Sequence, residues 1–241
     1  GGGGSRIHNF DQRAPIVELR HPALERGPLR LEQHGATSEG FVTGTSSVMW
    51  PVAQRFARHL CNHPELVRGL KVLELGAGVG LVGAAAAAMG AELVVITDCE
   101  VAMPLLGRNR ERLAEHGCAG VEVARVEWGS EADHAAVLAR CPGGFDLVVA
   151  SDVLVGGFDT EALFHCCVAL LARRPSARLL IAYEFREEWE SVGTFLHRCS
   201  EAGLDESHIH IGEDGGEDED DDGDMFLYTL CWRDGAPAPA A

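Results

Sequence analysis

The chain has 241 residues, of which 46% are hydrophobic and 24% are charged, a composition typical of one globular domain with a sizeable core. Its formal net charge of −17 disfavours direct contact with nucleic-acid phosphates, and no basic stripe offsets it. No apolar run approaches the ~20 residues of a membrane span, and no basic-then-apolar leader opens the chain. We therefore expect a cytoplasmic protein that does not enter membranes.

The N-terminal region combines a linker-like segment with short strand patterns. Residues 1–5 read GGGGS, which is typical of an expression linker. Two alternating runs, at 15–20 and 29–34, are separated by proline and glycine and predict a β-hairpin. The apolar spacing over 48–60, with Pro51 near its start, predicts the first helix.

A regular alternation of strand and helix patterns begins at residue 71. We predict strands at 71–75, 92–97, 121–126, 145–151 and 177–184, and helices at 81–89, 101–115, 131–139, 160–173 and 187–202. Two further strands, 207–211 and 225–232, have no helix between them and predict an antiparallel hairpin at the sheet edge. The order predicts an α/β fold with a doubly wound, mostly parallel seven-stranded sheet and helices on both faces.

Cysteine spacing and a charge run give two further predictions. The eight cysteines are scattered without a C-x-x-C pair, which indicates free thiols rather than disulfides or a zinc site. Residues 213–224 hold nine acidic residues and no basic one. We interpret this run as a disordered, solvated loop, and the sharper alternative is a surface that steers a lysine-rich target. The tail at 235–241 is expected to be disordered.

A glycine-rich segment, ELGAGVG at 74–80, directly follows the strand at 71–75. Its glycines allow a sharp turn and a close approach of the backbone to a ligand at the start of the next helix. Asp98 ends the following strand, where a carboxylate can bind the two hydroxyls of a ribose. Together they indicate an adenosine-bearing cofactor, and the alternative is a tight turn with a capping aspartate.

The E-x-G-x-G form of this segment resembles the class I methyltransferases, which use S-adenosylmethionine. Four further segments narrow the resemblance: GTSSVMWP at 44–51, Trp128-Gly129, SDVL at 151–154 and YEFR at 183–186. Together they look like the family-16 protein-lysine methyltransferases, over roughly residues 10–233.

The resemblance implies a Rossmann-like domain at 48–234, preceded by a β extension at 6–47. It implies S-adenosyl-L-methionine as cofactor, S-adenosyl-L-homocysteine as product, no metal, and a protein substrate with an accessible lysine. The cofactor contacts that it implies are Trp50, Glu74, Gly76, Ala77, Gly78, Asp98, Trp128 and Ser151.

Asp152 is the catalytic residue that the resemblance implies, because the family carries an acid-x-x-aromatic signature after the fourth strand. Here the aromatic position is Val155, and Tyr183 or Phe185 after the neighbouring strand could supply the ring. A helix cap or turn is the alternative role for Asp152. The valine also leaves open a small amine or a protein histidine as acceptor, or a cofactor-binding interaction protein without turnover.

Overall fold

The computed structural model describes residues 13–34, 45–185, 190–211 and 225–235. The helices are α1 (Pro51–Asn62), α2 (Leu81–Ala88), α3 (Met103–Glu115), α4 (Glu131–Leu138), α5 (Thr160–Leu170) and α6 (Glu190–Glu201). The strands are β1 (Ile16–Leu19), β2 (Leu29–Glu32), β3 (Lys71–Leu75), β4 (Leu93–Asp98), β5 (Val121–Arg125), β6 (Leu147–Ser151), β7 (Arg178–Glu184), β8 (Leu204–His210) and β9 (Met225–Trp232).

The main sheet has seven strands in the order β5-β4-β3-β6-β7-β9-β8. Strand β9 is antiparallel to β7 and β8, and the other neighbours are parallel. The predicted doubly wound, mostly parallel sheet with a C-terminal hairpin is therefore confirmed. The carboxyl ends of β3, β4, β6 and β7 meet at one edge, where ligands bind in sheets of this kind.

Successive residues of the central strands point to opposite faces of the sheet and form two separate cores. On one face, Val72, Val94 and Val149 pack with α1, α2 and α3. On the other face, Leu73 and Val148 pack with α4, α5 and α6. Because both faces are covered, the parallel strands read as continuous apolar runs in the sequence.

The predicted N-terminal hairpin is confirmed as a separate two-stranded antiparallel sheet of β1 and β2. Its last residue, Glu32, accepts hydrogen bonds from Arg108 Nε at 2.7 Å and Arg112 Nη2 at 2.6 Å. The two guanidinium groups hold the pKa of this carboxyl below its usual value. The hairpin is thereby fastened to α3.

Several element boundaries shift from the prediction by one to three residues, and two of these shifts have a local cause. Helix α5 ends at Leu170 rather than 173, because Leu171 forms a parallel bridge with Phe145. Gly203, just beyond α6, has φ 91°, the left-handed conformation in which glycine ends helices. Strand β8 consequently begins at Leu204 rather than 207.

Several predictions fall outside the described residues: the linker at 1–5, residues 35–44 of the N-terminal extension, the acidic run at 213–224 and the tail beyond 235. Among the described residues, no helix is long and apolar enough to cross a bilayer. The same part of the chain brings together no group of three or more metal-ligating side chains. All eight cysteines are free thiols.

Candidate active site

The glycine turn, residues 76–80 between β3 and α2, is built on left-handed backbone. Gly76, Gly78 and Gly80 have φ values of 61°, 57° and 84°. A Cβ on Gly76 would lie 2.9 Å from Val153 Cγ1 and 3.3 Å from Trp128 Cζ2. Only glycine therefore lets the backbone pass so close to these side chains.

Asp98 ties this turn to the neighbouring elements. Its Oδ2 accepts a hydrogen bond from Gly78 N at 2.7 Å. Its Oδ1 accepts hydrogen bonds from Cys99 N at 2.7 Å and from Ser46 Oγ at 3.0 Å. The carboxylate is buried and fixed at the carboxyl end of β4, where the sequence placed it.

Glu74, a residue of β3 in the glycine-rich motif, is buried against the start of α2. Its side chain is 1% exposed, and its Oε2 accepts a hydrogen bond from Gly83 N at 2.8 Å. Burial, with a smaller contribution from Asp98, raises the pKa of Glu74 to about 8, so the carboxyl keeps its proton at neutral pH. Glu74 is not among the residues that line the cavity described below, and its expected cofactor contact stays a prediction. It holds the start of α2.

Asn109, a buried residue of α3, links the glycine turn to the N-terminal hairpin. Its Nδ2 donates hydrogen bonds to Val79 O at 2.9 Å and to Glu32 O at 3.0 Å. Its Oδ1 accepts one from Glu32 N at 2.7 Å. The turn is therefore braced from the side of β2.

Trp50 directly precedes α1, and Pro51 occupies the first turn of that helix, where the missing N–H costs nothing. The segment before Trp50 is held by Gln33, whose Oε1 accepts a hydrogen bond from Met49 N at 3.1 Å. The indole of Trp50 is 36% exposed and faces the cavity.

The β6–α5 loop, residues 152–159, begins with an unusual backbone. Asp152 has φ 57°, the only positive φ among the described non-glycine residues. Aspartate tolerates this conformation better than most residues, and such outliers occur at functional sites. Its backbone N donates a hydrogen bond to Ala182 O of β7 at 2.9 Å. Asp152 is thus a fixed residue at the carboxyl edge and does not cap a helix, since Asp159 caps α5.

The same loop carries an aromatic ring that the sequence analysis missed. Phe158 N donates a hydrogen bond to Val155 O at 3.3 Å across a turn in which Gly157 has φ 92°. The Phe158 ring meets Trp128 edge to face, with centroids 5.8 Å apart and planes at 81°. The two candidates for the missing ring do not line the cavity: Tyr183 is buried in the core and Phe185 lies outside the lining.

All these elements surround one cavity of about 930 Å³, within the range of about 300–1,000 Å³ typical of small-molecule sites. Eight predicted site residues contribute to its lining: Trp50, Gly76, Ala77, Gly78, Asp98, Trp128, Ser151 and Asp152. The lining also includes Ser46, Phe158 and Asp159, which the sequence analysis did not single out. Ser46 and Trp50 both belong to the motif GTSSVMWP at 44–51, so the sequence could have indicated Ser46 as well.

The cavity fits an adenosine-bearing cofactor in its chemistry. The carboxylate of Asp98 suits ribose hydroxyls, and indole rings suit the adenine face. Burial and the neighbouring Asp98 raise the pKa of the Cys99 thiol in the lining, so the thiol stays protonated and is a poor nucleophile.

A family model described as lysine methyltransferase matches residues 25–202. The chain is similar to the protein N-lysine methyltransferase METTL21A of Mus musculus, with 37% identity over 154 residues, which cover 64% of this chain and 66% of that protein. It is also similar to EEF1A lysine methyltransferase 3 of Mus musculus, with 28% identity over 81% of this chain and 76% of that protein. Histone-arginine methyltransferase METTL23 of Homo sapiens is 29% identical over 62% of this chain and 76% of its own length. The match thus spans just under two thirds of METTL21A.

Solved structures show the same fold. The methyltransferase domain of bacterial CtHen1 superimposes with a TM-score of 0.54 at 14% identity, covering 76% of this chain and 100% of that one. The glycopeptide N-methyltransferase MtfA, complexed with sinefungin, gives a TM-score of 0.53 at 16% identity, over 73% and 92% of the two chains. At such identities the likeness concerns the fold alone.

Proposed function

This chain belongs to the lysine methyltransferase family, and from that premise we propose that it transfers a methyl group from S-adenosylmethionine to a lysine side chain of another protein. S-adenosylhomocysteine is the second product. The observation that carries the proposal is that the glycine turn with Asp98 and the β6–α5 loop with Asp152 line one continuous cavity. A cofactor and an acceptor can therefore meet there.

The residues of the glycine turn are proposed to hold the cofactor. Asp98 would accept hydrogen bonds from its ribose hydroxyls, and Trp50 and Trp128 would pack against its apolar parts. When bound, S-adenosylmethionine supplies an electrophilic methyl group on a sulfonium ion.

The β6–α5 loop is proposed to hold the acceptor. A lysine amine, with an ordinary pKa of about 10.4, must lose its proton before its nitrogen can accept a methyl group. Apolar walls such as Val153 and Trp128 exclude water and so favour the neutral amine. The Asp152 carboxylate accepts hydrogen bonds from the amine and aligns its nitrogen, which is the main contribution that such an enzyme makes.

The partner is proposed to be a protein with an accessible lysine, and the acidic chain suits a basic protein better than a nucleic acid. A cytoplasmic location is part of the proposal, and eight free thiols support a reducing compartment. The likeness to a histone-arginine methyltransferase keeps a guanidinium among the acceptors to be tested, beside histidine and small amines.

Two measurements test the proposed function. Calorimetry should show that S-adenosylmethionine and S-adenosylhomocysteine bind with micromolar affinity, whereas NAD gives no heat. Radiolabelled S-adenosylmethionine, incubated with the protein and a fractionated cell lysate, should then label a protein band. No binding of either ligand would refute the cofactor, whereas binding without any labelled product would favour the interaction protein without turnover.

A further inference from the structure

Local hydrogen bonds and backbone conformation, rather than burial of the ring, fix the position of Phe158 at the cavity. The ring is 40% exposed although it belongs to the cavity lining. The turn bond to Val155 and the positive φ of Gly157 fix its backbone on one side. On the other side, Asp159 Oδ1 accepts a hydrogen bond from Ala162 N at 2.9 Å and caps α5. The exposed part of the ring therefore lies where a ligand in the cavity can contact it.

We propose that Phe158 and Trp128 form the wall that receives the acceptor side chain, and that Phe158 selects a cationic side chain on a methylene stem, such as lysine. This inference rests on the proposed function and names the residue that would select its substrate. The two ring planes stand at 81°, so they offer perpendicular faces. A methylene stem can contact both faces at once, whereas a planar imidazole stacks on only one of them.

The charges of the lining favour a cation beside these rings. Asp152 and Asp159 both contribute to the same lining from the β6–α5 loop. An ammonium group gains free energy over an aromatic face, and carboxylates nearby add to that attraction. A ring and two carboxylates on one short loop therefore suit the protonated form in which a basic acceptor first binds, before it loses the proton for methyl transfer.

A purely structural role for Phe158 predicts a different environment. A residue just before the cap of a helix can pack as a hydrophobic staple against the first turn, and a staple is buried. Phe158 is instead 40% exposed, and the side chain of Asp159 caps α5. Removing the ring should therefore leave the fold intact.

The test measures binding and does not depend on turnover. The protein, saturated with S-adenosylhomocysteine, is titrated with amide-capped Nε-trimethyllysine and with capped norleucine, its uncharged comparator, by ligand-detected NMR. Wild type should prefer the cation. Phe158→Ala should raise the Kd of the cation about 3- to 30-fold, the range of a cation–π contact, while Phe158→Tyr stays within about twofold of wild type.

Phe185→Ala is the matched control, since Phe185 is 49% exposed after β7 but lies outside the lining. It should bind the cation as wild type does, and thermal unfolding should show that all variants are folded. The proposal is overturned if Phe158→Ala binds like Phe185→Ala, or if wild type binds no cation or shows no preference for it. Cation binding that depends on Phe158, in a protein that labels no substrate, would refute the proposed function and leave this inference standing.

Discussion

The glycine turn and the β6–α5 loop line the same cavity, but they are held in different ways. In the turn, Asp98 accepts three hydrogen bonds from the protein, and Asn109 braces the carbonyl of Val79. In the loop, the backbone N of Asp152 donates a hydrogen bond to Ala182 O of β7, a turn bond of 3.3 Å shapes the segment, and the Phe158 ring is 40% exposed.

This difference in how the two regions are held suits them to binding different ligands. A wall whose polar groups are already paired is preorganised, so it can bind one fixed ligand at low entropic cost. A loop with a partly exposed aromatic ring at the cavity offers an apolar surface that a ligand can cover. We infer that the turn serves the cofactor and the loop serves the acceptor, and the following predictions separate these tasks.

The largest effect is expected from Asp152→Asn. The amide keeps the shape of the side chain and tolerates the positive φ, so the backbone should be unchanged. Methyl transfer should fall about 100-fold, the loss expected when an acceptor is no longer aligned with the reacting group. Cofactor affinity should change less than about threefold, or about 0.65 kcal/mol.

Asp159→Asn is the matched control for this variant, because asparagine caps a helix as well as aspartate does. It removes a carboxylate from the same loop and should retain more activity than Asp152→Asn. If Asp152→Asn loses activity and cofactor affinity in parallel, Asp152 contacts the cofactor, and the separate roles inferred for the turn and the loop are wrong.

Asp98→Ala should mainly weaken cofactor binding, whereas Asp152→Asn should mainly slow methyl transfer. Loss of charge-assisted hydrogen bonds should weaken S-adenosylmethionine binding by about 1.5–3 kcal/mol, measured by calorimetry. Ser46→Ala, which removes one donor and leaves the carboxylate, should cost less, about 0.5–1.5 kcal/mol. Unchanged affinity in Asp98→Ala would contradict the role given to the turn.

The pH dependence of the stability of Glu74→Gln tests the role of the buried Glu74 carboxyl beside the glycine turn. Because folding raises the pKa of Glu74 to about 8, its contribution to stability is fully present below its ordinary pKa of 4.5 and is lost as pH rises toward 8. The glutamine does not titrate, so its stability relative to wild type should increase over that interval. Urea unfolding at several pH values measures this, and a difference that does not change with pH would refute it.

The smallest effect is expected from the acidic run at 213–224, which lies outside the described residues. The run follows β8 and precedes β9, and Ile211 N, just after β8, donates a hydrogen bond to Met225 O of β9 at 2.8 Å. Met225 pairs with Glu184, so the run is attached at the carboxyl edge. A Gly-Ser replacement should leave the Tm within a few degrees and slow transfer to a lysine-rich protein a few-fold at low salt. Above about 0.15 M salt the difference should close.

A run of equal length with Asn and Gln in place of the acids controls for loop length. If this neutral run transfers as fast as wild type at low salt, the acids do not steer the substrate, and the run only adds solubility.

The sequence predicted the turn side of the cavity better than the loop side. Glycines at 76, 78 and 80 and an acid at the end of the next strand follow from local backbone needs, which a sequence displays directly. The direction of the Glu74 side chain depends on how β3 packs against α2, and no local pattern reports that.

The loop side depends on geometry that emerges only in the folded chain. The expectation that Tyr183 or Phe185 replaces the ring absent at Val155 followed strand order alone. In the structure the Gly157 turn brings Phe158 back beside Val155, three residues later in the chain. The pair Gly156-Gly157 was the sequence feature that could have indicated this turn.

The most direct test of lysine methylation is to locate the methyl group. Fragmentation mass spectrometry of the labelled protein band, from wild type and from Asp152→Asn, assigns the modified atom. If the chain methylates lysine, the mass increase lies on a lysine side chain, is present with wild type and is strongly reduced with the variant. A methyl group on arginine or histidine, or equal labelling by both proteins, would contradict this expectation.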